Sequence, residues 1–94
     1  MSKKIAMLGS GFIARFYADA ILHGRSQDKI VSVYSRSEEN TKKFAQDYKV
    51  NFATTDLKKA VQHKEVDIVC VALPNHLHEE AVMACVEADR KSVV

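Results

Sequence analysis

The sequence predicts an α/β fold, a doubly wound parallel sheet with strand order 3-2-1-4-5 and helices on both faces. Three observations carry that reading. Short apolar, β-branched runs alternate with amphipathic segments of helical period along the whole chain. A glycine pair, Gly9 and Gly11, joins the first apolar run to the first helical segment, and a nearly all-apolar run from Val66 to Leu73 stops at the one proline, Pro74.

The elements follow in order. Residues 3–8 (Lys-Lys-Ile-Ala-Met-Leu) form a strand buried on both faces. From Gly11 to about Gly24 the apolar residues Ile13, Phe16, Tyr17, Ala20 and Ile21 recur at spacings of three and four, which predicts a helix with that stripe inward. Lys29–Ser35 is the second strand, and Ser37 caps a second helix whose first turn holds Glu38 and Glu39 and whose inner face carries Phe44, Ala45 and Tyr48. Val50–Ala53 is a brief third strand. Asp56 caps a short helix with Leu57, Ala60 and Val61 inward, Val66–Leu73 is the fourth strand, and a helix from His76 to Ala88 leads to a fifth strand at Ser92–Val94.

Composition excludes several classes of function. With 94 residues, 47% apolar and 28% charged, the chain reads as one globular domain over residues 1–94. The formal charge is +2 and the basic residues are scattered, so no stripe for nucleic acid is present. The apolar run after Lys3 and Lys4 is too short for a membrane span, and Cys70 and Cys85 lack disulfide or zinc-ligand spacing. A reduced, cytoplasmic setting is expected.

Gly9-Ser10-Gly11-Phe12-Ile13-Ala14 matches G-x-G-x-x-A in the strand–turn–helix context that gives the motif meaning. The first glycine makes the turn, the second admits a pyrophosphate to the backbone, and the small third residue lets the helix pack on the sheet. The N–H groups of Phe12, Ile13 and Ala14 then face the anion. An NAD site usually places Asp or Glu at the end of the second strand, on the ribose 2′-hydroxyl. Here Ser35 and Arg36 stand there, a pair suited to a 2′-phosphate, which favours NADP over NAD. Across the crevice lie Pro74, Asn75, His76, Leu77 and His78. Two histidines two positions apart on a helix point to different sides, so no metal is expected; no catalytic residue is identifiable, and both cysteines read as small buried hydrophobes.

The glycine loop, Ser35-Arg36-Ser37, and above all Val66–Leu73 followed by Pro74-Asn75-His76-Leu77-His78 resemble the N-terminal domain of the Gfo/Idh/MocA oxidoreductases, the family of glucose-fructose oxidoreductase and inositol dehydrogenase. The resemblance covers essentially the whole chain. It implies a Rossmann domain binding NAD or NADP and, in the whole enzyme, hydride transfer at a sugar, cyclitol or related CH–OH carbon. By position, Gly9, Gly11, Phe12, Ile13 and Ala14 match the pyrophosphate loop, Ser35 and Arg36 the ribose or 2′-phosphate contact, and Leu73, Pro74, Asn75 and His78 the second wall of the cleft. The family continues into a Glu-Lys-Pro motif with the catalytic lysine and a large second domain, whereas this sequence reaches Val94 without that motif and has Asp89-Arg90-Lys91-Ser92 in place of Gly-Lys-His. The expectation is therefore the nucleotide-binding half of such an enzyme, inert alone and prone to form a homo-oligomer through its last strand. A stand-alone dinucleotide-binding regulatory module and a non-catalytic fragment with a role in oligomerisation are the alternatives.

Overall fold

The computed structural model describes residues 3–23, 28–73 and 75–93, with only the backbone of residues 22, 75, 76 and 91–93. Nine elements alternate along the chain: β1 (Lys4–Leu8), α1 (Phe12–His23), β2 (Lys29–Tyr34), α2 (Glu38–Tyr48), β3 (Phe52–Thr54), α3 (Leu57–Gln62), β4 (Ile68–Val71), α4 (Asn75–Glu87) and β5 (Lys91–Val93). The strands pair in parallel in the order β3-β2-β1-β4-β5, as the alternation and right-handed crossovers require.

The caps written in the sequence set the helix boundaries. Ser37 accepts from the Asn40 N–H and Asp56 from the Lys59 N–H, each satisfying a donor that a helix start leaves free. At the other end of α2, Lys49 takes a left-handed conformation (φ 55°), and the Val50 N–H bonds back to the Ala45 carbonyl. That closure occupies Val50, so β3 starts at Phe52 and not at Val50 as the sequence suggested. The fourth strand is also shorter than Val66–Leu73. Its flanks remain tied to β1 all the same: Asp67 N–H donates to the Lys4 carbonyl and Ala72 N–H to the Leu8 carbonyl.

Two hydrophobic clusters sandwich the sheet. Met7, Ala14, Ala18, Ile30, Val33, Phe44 and Val50 pack beneath α1 and α2. Ala6, Leu8, Val31, Val69 and Val71 pack with Ala60, Val61, Ala81, Ala84 and Cys85 of α3 and α4 on the opposite face. Alternation along β1 and β4 delivers successive side chains to opposite clusters. In β2 a register shift breaks the alternation: Ile5 pairs with Ile30 but Ala6 pairs with Ser32. Val31 and Ser32 thus both serve the α3 side, where the Ser32 hydroxyl donates to the Ala60 carbonyl at 3.1 Å and anchors α3 to the sheet.

The inner face of α1 differs from the expected stripe. Ala14 and Ala18 are fully buried, whereas Ile13, Phe16 and Tyr17 are 52, 62 and 38% exposed. The physical reason is rotation about the helix axis: Ala14 and Ala18, four residues apart, share the line of α1 that meets the sheet, and Ile13, Phe16 and Tyr17 fall on the surface beyond it.

Candidate functional site

The two glycines of the loop do different things. Gly9 has φ 120°, a region that L side chains avoid, and a β-carbon built there would sit 2.6 Å from the Ala72 carbonyl oxygen. Its N–H donates to the Tyr34 carbonyl at 2.6 Å, so Gly9 locks the carboxyl ends of β1, β2 and β4 together. Gly11 has no atom within 4 Å of the place where a β-carbon would lie. The space beside it is open to a ligand.

At Gly11 the helix begins, its carbonyl accepting the first helical bond from the Arg15 N–H at 3.0 Å. The N–H groups of Phe12, Ile13 and Ala14 precede that bond and have no helical acceptor. The first turn of α1 contains no acidic residue, in contrast to α2 with Glu38 and Glu39. Its positive end is therefore free to face an anion. Ala14 does what the motif asks of a small residue, lying fully buried against the sheet. A backbone cradle that a side chain at residue 11 would fill, with unpaired donors behind it, fits the pyrophosphate of a dinucleotide.

From this cradle a crevice of about 450 Å³ runs between residues Gly9–Ile13 with Tyr17 on one side and Val71, Ala72, Leu73 and His78 on the other. Of the predicted residues, Gly9, Gly11, Phe12, Ile13, Leu73 and His78 thus share one cleft. Pro74 lies outside the described residues, and Asn75 is described only as the first residue of α4. The sequence reading missed Ser10, Tyr17, Val71 and Ala72 as lining residues. Gly9 itself carried the signal for Ala72, because a glycine forced into a turn by close approach implies another backbone against it. A second groove, between α3 and α4, is lined by Asp56, Glu80 and Glu87 together with Lys58, so carboxylates outnumber the lysine there.

At the end of β2 the hydroxyl of Ser35 has protein partners of its own. Ser35 is buried; the Thr41 hydroxyl donates to the Ser37 carbonyl at 2.6 Å, and the single Ser35 hydroxyl proton is within reach of both that carbonyl and the Thr41 oxygen. The hydroxyl that was to meet the ribose or a 2′-phosphate is turned inward and tethers β2 to the first turn of α2. Arg36 is exposed at the start of that turn and forms none of the ion pairs found among the described residues. It is the residue of the pair that is free to reach a ligand.

The remaining candidates resolve simply. Burial pushes both the Cys70 and Cys85 thiols above their ordinary value, which keeps them protonated and poorly nucleophilic. No three His, Cys, Asp or Glu side chains converge among the described residues, and no helix among them is long and apolar enough to cross a membrane. Arg15 is bound to Asp47 at 2.9 Å and lies over the Phe44 and Tyr48 rings, a contact that joins α1 to α2.

Comparison with known proteins agrees with this geometry. Residues 3–94 match the family described as an oxidoreductase family with an NAD-binding Rossmann fold. The uncharacterized oxidoreductase YgjR of Escherichia coli K12 is 35% identical over 75 residues, 80% of this chain and 23% of its own length. The 4-carboxy-2-hydroxymuconate-6-semialdehyde dehydrogenase of a Sphingobium species is 31% identical over 87 residues, 93% of this chain and 27% of its own. Among solved structures, biliverdin reductase from Synechocystis, in complex with biliverdin and NADP+, superposes with a TM-score of 0.83 at 27% identity, covering 95% of this chain and 28% of that one. The 94 residues thus span about a quarter of the length of these relatives. With a glycine cradle, a parallel sheet of the matching order and a family match over nearly its whole length, the chain belongs to the Gfo/Idh/MocA oxidoreductases and corresponds to their NAD-binding Rossmann domain.

Proposed function

We propose that the chain binds a nicotinamide dinucleotide with its pyrophosphate over residues 9–14, its adenosine ribose beside Arg36, and its nicotinamide end toward Ile13, Leu73, Pro74, Asn75 and His78. The observation that carries this reading is the open backbone at Gly11 facing the uncapped start of α1. NADP is the favoured cofactor. No carboxylate ends β2 to repel a 2′-phosphate, and Arg36 is exposed where a guanidinium can hold one. The buried hydroxyl of Ser35 supports that contact indirectly, by fixing the backbone from which Arg36 projects.

When bound, the nicotinamide supplies or accepts a hydride. The chain's own part is to hold the diphosphate on backbone donors and to give the ring an apolar bed. Support for a sugar, cyclitol or related CH–OH substrate in the whole enzyme comes from the family resemblance, and the free thiols of Cys70 and Cys85 fit a cytoplasmic setting. Residues 1–94 without turnover of their own are part of the same reading, because among the described residues no acid or base lining the crevice is hydrogen-bonded to a positioned partner. Titrating NADPH and NADH into the labelled protein and mapping amide shifts tests the placement. The largest changes are expected at residues 9–14 and 36; changes that avoid residues 9–14 would overturn it.

A further inference from the structure

The first turn of α2 buries a polar residue where packing would take a hydrocarbon. Thr41 and Phe44 are the residues that α2 buries, and Thr41 is 2% exposed. Threonine is a weaker helix former than alanine, and a hydroxyl withdrawn from water needs partners to offset its desolvation. Those partners are specific here. The Thr41 hydroxyl donates to the Ser37 carbonyl at 2.6 Å, and its oxygen meets the Ser35 hydroxyl. Two hydroxyl protons are thus shared among three oxygens, those of Ser35, Thr41 and the Ser37 carbonyl.

What this set encloses is Arg36. Ser35 precedes it and Ser37 follows it, and both are tied to Thr41: Ser35 through its side chain, Ser37 through its carbonyl, which also accepts the Thr41 N–H at 2.9 Å. The Ser37 hydroxyl in turn accepts from the Asn40 N–H at 3.3 Å. Arg36 therefore leaves a turn that is pinned on both sides, with its own side chain exposed. Glu38, two positions on, is engaged along α2 by Lys42 at 3.1 Å. An arginine loses much rotamer freedom when it grips an anion, and a fixed backbone beneath it lowers what remains to be ordered. With a hydrocarbon at residue 41 the helical N–H bond and the contact of Ser35 with the Ser37 carbonyl would stay, but the link from β2 into α2 would be lost.

A buried hydroxyl of this kind can serve stability, which every ligand feels equally, or direction, which only the ligand touched by Arg36 feels. Its bonding favours direction, because the Thr41 hydroxyl reaches the two residues that flank Arg36 and no others. We propose that Thr41 is a positioning residue for cofactor choice: by holding the residues on both sides of Arg36 it directs the guanidinium to a ribose 2′-phosphate, with little effect on a dinucleotide that lacks that phosphate. The inference rests on the Arg36 contact proposed above and adds the residue that makes the contact selective.

The test is a double-mutant cycle on the 94-residue chain, with NADP+ and NAD+ titrated by calorimetry. Thr41→Val replaces the hydroxyl by a methyl group of similar size, and Thr41→Ser keeps the hydroxyl. Thr41→Val should weaken NADP+ about three- to tenfold, the worth of a neutral hydrogen bond, and change NAD+ by less than about twofold. Thr41→Ser should bind both as the parent does. In an Arg36→Ala background Thr41→Val should have no further effect on NADP+, because a residue that acts through Arg36 has nothing left to position. Equal losses of both cofactors in Thr41→Val, or a loss that adds fully to that of Arg36→Ala, would overturn the proposal. Ser35→Ala removes the tie from the β2 side and serves where Thr41→Val does not fold: it should shift the NADP+ to NAD+ ratio in the same direction, and an unchanged ratio would overturn the positioning role. Arg36→Ala alone separates the two readings. If it leaves NADP+ binding intact, or the parent chain binds neither cofactor, the Arg36 contact fails and the role of Thr41 with it. A selective loss of NADP+ in Arg36→Ala with an unaltered ratio in Thr41→Val overturns the role of Thr41 only.

Discussion

Adding one methyl group to either glycine of the loop should produce opposite phenotypes. In Gly9→Ala the new carbon lies 2.6 Å from the Ala72 carbonyl oxygen and 3.1 Å from its carbon, both backbone atoms that cannot rotate away. The backbone at φ 120° is also strained for alanine. A strained backbone region costs about 1–3 kcal/mol and overpacking about 1–3 kcal/mol, for a total of roughly 2–6 kcal/mol. A domain of this size has a stability of about 5–14 kcal/mol and loses about 4–8 °C of Tm per kcal/mol. Gly9→Ala should therefore lower Tm by at least about 8 °C or prevent folding. Gly11→Ala meets no neighbour, and its stability cost is the loss of a tolerated helix cap, about 1 kcal/mol or less. It should keep the fold while weakening dinucleotide binding, because the methyl occupies the approach to the α1 N–H groups. Thermal unfolding by circular dichroism and cofactor titration by calorimetry measure the two quantities. A Gly9→Ala protein as stable as the parent, or a Gly11→Ala protein that unfolds as Gly9→Ala does, would refute the division of labour.

Arg36→Ala should weaken NADP about ten- to a hundredfold, the worth of a hydrogen bond to a charged group, and leave NAD nearly untouched; paired dissociation constants check it, and equal losses for both cofactors would count against a 2′-phosphate contact. Because burial raises both thiol pKa values above the ordinary 9.0, the stability they contribute is fully present below about pH 9 and is lost as pH rises through the folded values. Unfolding midpoints between neutral and alkaline pH should thus fall more steeply for the parent than for a Cys70→Ala/Cys85→Ala variant, and parallel slopes would refute the linkage. The 94-residue chain should show no change at the reduced-nicotinamide absorbance with a panel of polyols, since hydride transfer needs a substrate held at near-attack distance beside an acid or base; clear turnover would locate the catalytic groups within these residues.

Much of this protein was determined by local sequence. Ser37 and Asp56 mark helix starts because a side-chain oxygen at that one place satisfies a free N–H, whatever the rest of the chain does. The strand order follows from alternation and handedness, and the open turn before α1 from a glycine pair between a strand and a helix. What tertiary structure decided is which side of a pattern faces in. Periodicity along α1 offered a stripe of large residues, but the helix sets Ala14 and Ala18 on the sheet and turns Ile13, Phe16 and Tyr17 outward. At Ser35 the sequence shows a hydroxyl at a ligand-binding place, and only the fold brings Thr41 near enough to claim it. Gly9 and Gly11 read alike in the motif. The carbonyl of Ala72, more than sixty residues away in the chain, makes the first a requirement of the fold and leaves open space beside the second, because steric exclusion depends on what packs nearby and not on the residue itself.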